Sequence, residues 1–299
     1  ILLNLDTEEE GEIYIGCAGG IGTKAYFRYK EKSAPEDYFW FKVQVKGLRG
    51  GHSGSDIDKG LGNANKILTR FLYGIMNKKY GMVLSEIGGG NLHNAIAREA
   101  YAVVGVKEKY KEDIRVKLNI FLANVQNEYK KSDPGLEILL ESVSMPSKII
   151  KRGVARRLIQ SLYACPHGVI SMSADIEGLV ETSTNLASIK MLDNNIIEIG
   201  TSQRSSVESR KEDIANRVRA VFELAEAKVV HNEGYPGWQP NTDSHILKLA
   251  RDEYKNLYNK EAKVKAIHAG LECGLFLEKY PQLDMISIGP DMTDVHSPD

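Results

Sequence analysis

Hydrophobic and polar positions along the chain follow a pattern that predicts a mixed α/β protein. Apolar runs of strand length occur at 1–5, 13–17 and 38–45, the last rich in aromatic and β-branched residues. Between about 59 and 77, apolar residues recur at helical spacing, which predicts an amphipathic helix. Glycines at 19–22 predict a turn after the second strand.

The middle of the chain is predicted to contain two sets of strands and helices. From Tyr38 to Val143 the predicted order is β-α-β-β-α-β, which is that of a ferredoxin-like unit. A second, less regular set has helices at 155–163 and 207–227 with three strands between them. The two sets could share one extended antiparallel sheet backed by helices, although no sequence repeat supports this.

The last quarter of the chain has a different pattern. Tyr235–Pro240 is a turn-rich linker, and helix, strand, helix and strand then alternate between 244 and 288. This alternation is typical of a parallel or mixed sheet, which the first strand could join. We therefore predict an α/β domain in two pieces, 1–20 and 235–299, interrupted by a second domain at 21–234.

Composition excludes several classes of protein. The chain is 42% hydrophobic and 26% charged, as in ordinary globular proteins. Its formal net charge is −1, which gives no basic surface for nucleic acid or anionic membranes. Three cysteines without a C-x-x-C pair favour a reducing compartment. Because the sequence begins with an apolar strand and no methionine, we expect a fragment or a processed chain.

Two residues at strand ends are candidate metal ligands. No H-E-x-x-H, phosphate-loop or G-x-S-x-G motif is present. Asp6 ends the first apolar strand, and His296 follows the last one. Ligands of open α/β sheets bind beyond the carboxyl ends of the strands. A carboxylate and an imidazole there could share an ion such as Zn²⁺, although aspartate at a strand end is also a common turn former.

Four further residues are candidates for binding or catalysis. His52 lies in a glycine-rich loop, and Asn94 lies in a short polar segment. Arg204, between a strand and a helix, could bind a carboxylate through its two-pronged guanidinium. Glu272 opens a helix. The alternatives are a solvated loop histidine, a turn asparagine, a surface arginine and a first-turn acid favoured by the helix dipole.

Several segments together carry a family resemblance. They are LNLDTEEEGE at 3–12, GLRGGHSGS at 47–55, GLGNAN at 60–65, NAIAREA at 94–100, HAGLECGL at 268–275 and HSPD at 296–299. With these motifs the chain resembles, from first residue to last, the aminoacyl-histidine dipeptidase family of two-zinc exopeptidases, which is related to carnosinase and glutamate carboxypeptidase. The resemblance implies a catalytic α/β domain, here partial, interrupted by a ferredoxin-like α+β lid that often mediates dimer formation.

The resemblance also implies roles for the candidate residues. Asp6 and His296 match zinc ligands, one for each of two zinc ions per subunit, with cobalt or manganese as possible substitutes. His52 matches a lid histidine that stabilises the transition state. Asn94 and Arg204 match substrate-binding residues, Arg204 for the terminal carboxylate. Glu272 matches a residue of the substrate loop.

The activity implied is metal-dependent hydrolysis of unblocked dipeptides, including Xaa-His, by a cytoplasmic homodimer formed through the lid. The family's catalytic Glu and remaining ligands are expected upstream of Ile1. No histidine here is followed by x-Asp, and Glu8–Glu10 follow Asp6 rather than precede its strand. We therefore expect this chain to be inactive alone. The alternatives are a non-catalytic dimerisation or peptide-binding module, or a related tripeptidase or aminoacylase.

Overall fold

Seventeen strands and six α-helices form the computed structural model, which describes residues 1–76 and 79–292. The strands are β1 (Leu2–Asn4), β2 (Glu12–Cys17), β3 (Gly19–Arg28), β4 (Glu31–Ser33), β5 (Tyr38–Lys46), β6 (Gly51–His52), β7 (Val83–Gly89), β8 (Ala95–Ile96), β9 (Ala100–Lys107), β10 (Glu137–Ser142), β11 (Lys148–Ile150), β12 (Gly168–Met172), β13 (Val180–Leu192), β14 (Ile196–Ser205), β15 (Lys228–His231), β16 (Lys263–Ile267) and β17 (Met285–Ser287). The helices are α1 (Ala64–Ile75), α2 (Lys111–Glu128), α3 (Arg152–Ala164), α4 (Glu208–Leu224), α5 (His245–Tyr258) and α6 (Cys273–Lys279).

The two ends of the chain build a four-stranded mixed sheet in the order β1-β17-β2-β16. Strand β1 is parallel to β17 and β2 is parallel to β16, whereas β17 and β2 are antiparallel. Ile13 and Ile15 pack against Ile246 and Leu247 of α5 and against Ile286. The predicted mixed sheet, with the first strand as a member, is therefore present.

The middle of the chain builds a nine-stranded antiparallel sheet. Its order is β10-β5-β9-β7-β13-β14-β3-β15, and β12 pairs with β13. The two predicted sets of strands meet where β7 pairs with β13 through Gly89 and Ile189. Helices α1 to α4 supply apolar residues to one large core with this sheet. The extended sheet backed by helices, left open by the sequence, is thus observed.

Two predictions about local structure were wrong. Helix α1 starts at Ala64, not near 59, because Gly60 has a left-handed φ of +66° and Asn63 caps the helix by accepting from the Lys66 N–H. The glycines at 19–22 do not make a turn but begin the long strand β3. Their missing side chains leave room for a neighbouring segment, since a Cβ on Gly19 would lie 2.4 Å from the nitrogen of Gly237.

The predicted linker at Tyr235–Pro240 runs antiparallel to the end of β2 and the start of β3. Isolated bridges join Trp238 to Cys17 and Tyr235 to Gly20. The strands of the four-stranded sheet come from 2–17 and 263–287, and those of the larger sheet from 19–231. Domain boundaries near 20 and 235 remain a prediction, which this division of strands supports.

None of the helices in 1–76 and 79–292 has the length and hydropathy needed to cross a membrane.

Candidate functional site

The loop between β5 and α1 carries His52 and holds it beside Asn94. Strand β6 pairs with β8, so that His52 faces Ala95. The Ser53 N–H donates to the Asn94 carbonyl over 2.8 Å, and the His52 N–H donates to Asp56 Oδ2 over 2.7 Å. Two short strands and one carboxylate therefore fix the backbone of a segment that has little regular structure.

A buried carboxylate closes the base of this loop. Asp133, only 1% exposed, accepts the Arg49 N–H at Oδ1 and the Gly62 N–H at Oδ2, both over 2.8 Å. One side chain thus satisfies backbone donors on both sides of His52. No local pattern in the sequence marks Asp133, because its partners are distant in sequence.

Replacing Asp133 by asparagine is expected to destabilise the fold by about 2 kcal/mol, since an amide nitrogen cannot accept and leaves one backbone N–H unpaired. The free energy of unfolding in urea measures this effect. Asp58→Asn, at an exposed position of the same loop, is the matched control and should change stability by less than about 0.5 kcal/mol. Equal losses in the two variants would contradict the role given to Asp133.

The hydrogen bonds of the His52 ring indicate which nitrogen carries the proton. Nδ1 faces the N–H groups of Gly54 and Ser55, at 3.3 and 3.2 Å, and the Ser55 hydroxyl at 3.0 Å. Because two backbone donors point at Nδ1, the neutral ring carries its hydrogen on Nε2. Burial, and to a smaller extent the charge of Arg204, lowers the pKa of His52. His52 therefore presents a neutral N–H donor at Nε2.

Arg204 lies next to this donor, and no carboxylate in the described part of the chain pairs with it. The residue is 8% exposed on β14, and its Nη1 donates to the Tyr235 hydroxyl over 2.8 Å. Nη2 lies 3.5 Å from His52 Nε2, and Nε is buried without a partner among the described residues. Since both Nη2 and Nε2 carry hydrogen, the two groups form a pair of donors suited to oxygen atoms with negative charge.

A second buried histidine lies close to this pair. His268 is 6% exposed, and its Nε2 is 2.7 Å from the Ser183 hydroxyl. Burial, followed by the nearby charge of Arg204, lowers the pKa of His268 to about 3. The ring is therefore neutral at physiological pH and adds no positive charge beside the guanidinium. His268 is the first residue of the motif HAGLECGL, and this motif is the feature of the sequence that could have identified it as a site residue.

Buried neutral histidines predict a dependence of stability on pH. Burial lowers the pKa of His167 to about 4, and His268 behaves similarly, whereas both have pKa values near 6.5 when unfolded. As pH falls below 6.5, the unfolded chain binds protons that the folded chain does not, so stability decreases by about 1.4 kcal/mol per pH unit for each histidine. Urea unfolding between pH 6.5 and 5 should show a slope that His167→Gln reduces by this amount. The exposed His93→Gln is the control, and an unchanged slope in His167→Gln would contradict the assignment.

The remaining candidates lie at the four-stranded sheet. Asp6 is exposed after β1, and its N–H donates to the Asn4 side chain over 3.1 Å. Glu272 is exposed immediately before α6. Both lie near Cys273, whose pKa is raised chiefly by burial and further by these two charges. His296 lies outside the described residues. The structure thus brings His52 close to Asn94 and Arg204, and it brings Asp6 and Glu272 close to Cys273.

The described part of the chain does not complete a metal site. Within 1–76 and 79–292, no group of three His, Cys, Asp or Glu side chains could hold an ion. The exposed Asp6 carboxylate has no hydrogen-bond or ion-pair partner there, so it is available as a ligand. One carboxylate alone is too few to hold a zinc ion, which takes four ligands.

A cleft of about 690 Å³ opens beside Arg204 and Tyr235. Its polar lining comes from β3, β13, β14, the segment before β8 and the segment after β15, and includes Thr23, Asn91, His93, Ser188, Thr201, Gln203 and Asn232. His52 is not among these lining residues, but its Nε2 lies 3.5 Å from Nη2 of Arg204, which is one of them. The cleft offers a small polar ligand access to the guanidinium.

Comparisons with known proteins find similarity to peptidases. Residues 40–133 match the model of a peptidase dimerisation domain. The cytosol non-specific dipeptidase of Escherichia coli strain K12 is 42% identical over the whole chain, which spans 61% of that protein. The crystal structure of an aminoacylhistidine dipeptidase from Vibrio alginolyticus is 39% identical, with a TM-score of 0.95 over the whole chain and 61% of its own length.

This structural match confirms the predicted fold class, a partial α/β domain of the two-zinc-exopeptidase type interrupted by a ferredoxin-like α+β domain. Both relatives extend beyond the chain, which covers about three fifths of their length. Similarity over every residue of the chain, in sequence and in backbone, exceeds what a shared fold alone requires. Over its whole length the chain is similar to these two dipeptidases, and residues 40–133 match a peptidase dimerisation domain.

Proposed function

We propose that the protein hydrolyses unblocked dipeptides, including Xaa-His, and that this chain supplies the groups that hold the peptide. Arg204 carries the proposal. Among the residues that the structure describes, the buried guanidinium has one good acceptor, the Tyr235 hydroxyl, and a charge buried in this way is costly in a folded protein. The terminal carboxylate of a short peptide would supply the missing anion, and a longer peptide chain would place that carboxylate elsewhere.

His52 is assigned the oxygen of the scissile peptide bond. Its Nε2–H lies 3.5 Å from Arg204, so an oxygen that it binds would lie close to the carboxylate-binding group. A donor placed where negative charge develops lowers the barrier of acyl transfer. Asn94, held against this loop by its own carbonyl, is proposed to bind the peptide backbone, and Glu272 to border the site.

The family implies a divalent metal cofactor, and we propose zinc. When bound, the ion would supply an activated water for attack on the peptide carbonyl. Asp6 is the described residue proposed to ligate it, with His296 as a further proposed ligand. His52, Asn94, Arg204 and Glu272 are instead assigned to the substrate.

We also propose a cytoplasmic location and a homodimer, which the same comparisons support. The E. coli relative is named a cytosol dipeptidase, which supports a cytoplasmic location for this protein. The match to a peptidase dimerisation domain supports a homodimer formed through the lid. The pairing of His52 with Arg204 occurs within one chain and needs no second subunit.

The test is a substrate panel with the whole protein, purified from a host lacking its own dipeptidases. Xaa-His and other dipeptides should be cleaved with added Zn²⁺, and a chelator should abolish cleavage. Tripeptides and N-acyl amino acids should be cleaved slowly or not at all. Preference for either of these would identify a tripeptidase or aminoacylase, and no cleavage with tight dipeptide binding would identify a non-catalytic binding module.

A further inference from the structure

Tyr235 is held firmly although it lies in a turn-rich segment. Its N–H donates to the Gly20 carbonyl over 2.8 Å, and its carbonyl accepts the Gly20 N–H over 3.0 Å. The same carbonyl accepts from Lys211 Nζ over 2.8 Å, and the Lys211 side chain is only 5% exposed. The backbone of Tyr235 is therefore fixed by three hydrogen bonds.

The ring of Tyr235 is fixed as well, because it lies between two glycines. A Cβ on Gly20 would lie 2.6 Å from the ring and its hydroxyl, and a Cβ on Gly270 would lie 2.9 Å from the ring. Any larger residue at Gly20 or Gly270 would displace the ring. Gly20 lies on β3 and Gly270 lies between β16 and α6. Together they hold the hydroxyl against Arg204.

The hydroxyl has one unused donor. Arg204 carries no acceptor, so the 2.8 Å contact requires Nη1 to donate and the phenolic oxygen to accept. The proton of the hydroxyl is then free for another acceptor. No described residue accepts it, and both Tyr235 and Arg204 line the 690 Å³ cleft.

We propose that Tyr235 is a substrate-binding residue that donates its phenolic hydrogen to the same terminal carboxylate that Arg204 pairs with. The guanidinium and the hydroxyl form a two-donor clamp, and hydrogen bonds to a carboxylate are stronger than those between neutral groups. The inference deepens the proposed function and rests on it. It adds a residue that the sequence alone had assigned to a linker.

Tyr235→Phe removes only the hydroxyl and tests the clamp. KM for a dipeptide should rise about 10- to 30-fold while kcat stays within about twofold, since a lost hydrogen bond to a charged group acts on binding. Tyr73→Phe is the matched control, because Tyr73 is 43% exposed and its ring stacks on Tyr163 at 4.3 Å. The control should leave both constants unchanged.

Competitive inhibitors with and without a free carboxylate distinguish recognition of the carboxylate by Tyr235 from a merely structural role of this residue. The inhibition constant of a non-hydrolysable dipeptide analogue should rise 10- to 30-fold in Tyr235→Phe, and that of its C-terminal amide by less than threefold. Equal losses for both analogues, or a lower kcat with unchanged KM, would overturn the inference. Wild-type protein that cleaves no dipeptide would overturn the proposed function instead, so the two failures are distinct.

Discussion

Replacing Arg204 by methionine is expected to lower kcat/KM for dipeptides about a thousandfold and to stabilise the free protein. A substrate carboxylate that enters the site would lose its proposed guanidinium partner, and such losses cost about 4 kcal/mol. Without substrate, the buried guanidinium has no anion among the described residues, so an apolar side chain of similar length should stabilise the fold by about 1–2 kcal/mol.

Steady-state kinetics and urea unfolding of the same preparation measure the two opposite effects. Arg210→Met is the matched control, since Arg210 on α4 is half exposed and pairs with Glu181 over 3.0 Å. The control should retain nearly full activity and should not gain stability. A loss of stability in Arg204→Met that accompanies its loss of activity would indicate that Arg204 is structural.

Replacing His52 by alanine is expected to lower kcat about 100- to 1000-fold with little change in KM, because a donor to a developing oxyanion acts mainly in the transition state. Its lowered pKa keeps the ring neutral, so activity should not depend on His52 protonation near neutral pH. Stopped assays over a range of substrate concentrations separate the two constants.

His245→Ala, at the exposed first residue of α5, is the control for His52→Ala and should leave kcat unchanged. If His52→Ala instead raised KM and spared kcat, the histidine would bind the ground state only. That result would remove His52 from the proposed chemistry while leaving the role of Arg204 intact.

Much of the fold could be predicted from the sequence because apolar periodicity reports directly on burial. The strand Tyr38–Lys46, for example, was predicted within one residue. The start of α1 was not, because a turn that continues the apolar pattern occupies the preceding residues and the cap at Asn63 begins the helix. The turn predicted at the glycines before Thr23 was wrong, because these glycines allow the close approach of another segment.

The site could be predicted only as separate residues. His52 and Arg204 were candidates, but they are 152 positions apart in sequence. Their approach depends on how the fold brings β14 next to the loop that carries His52. Tyr235 and Asp133 gave no signal, because their roles come entirely from partners that the fold supplies. Local pattern reports burial and turns, whereas hydrogen-bond partners distant in sequence depend on topology.

The most direct test of the account compares a dipeptide with its C-terminal amide as substrates of the whole wild-type protein and of Arg204→Met. Wild-type protein is expected to have a kcat/KM about a thousandfold higher for the dipeptide than for its C-terminal amide. Arg204→Met should reduce this preference to within about tenfold. An undiminished preference in the variant, or none in the wild type, would contradict the claim that Arg204 recognises the peptide's terminal carboxylate.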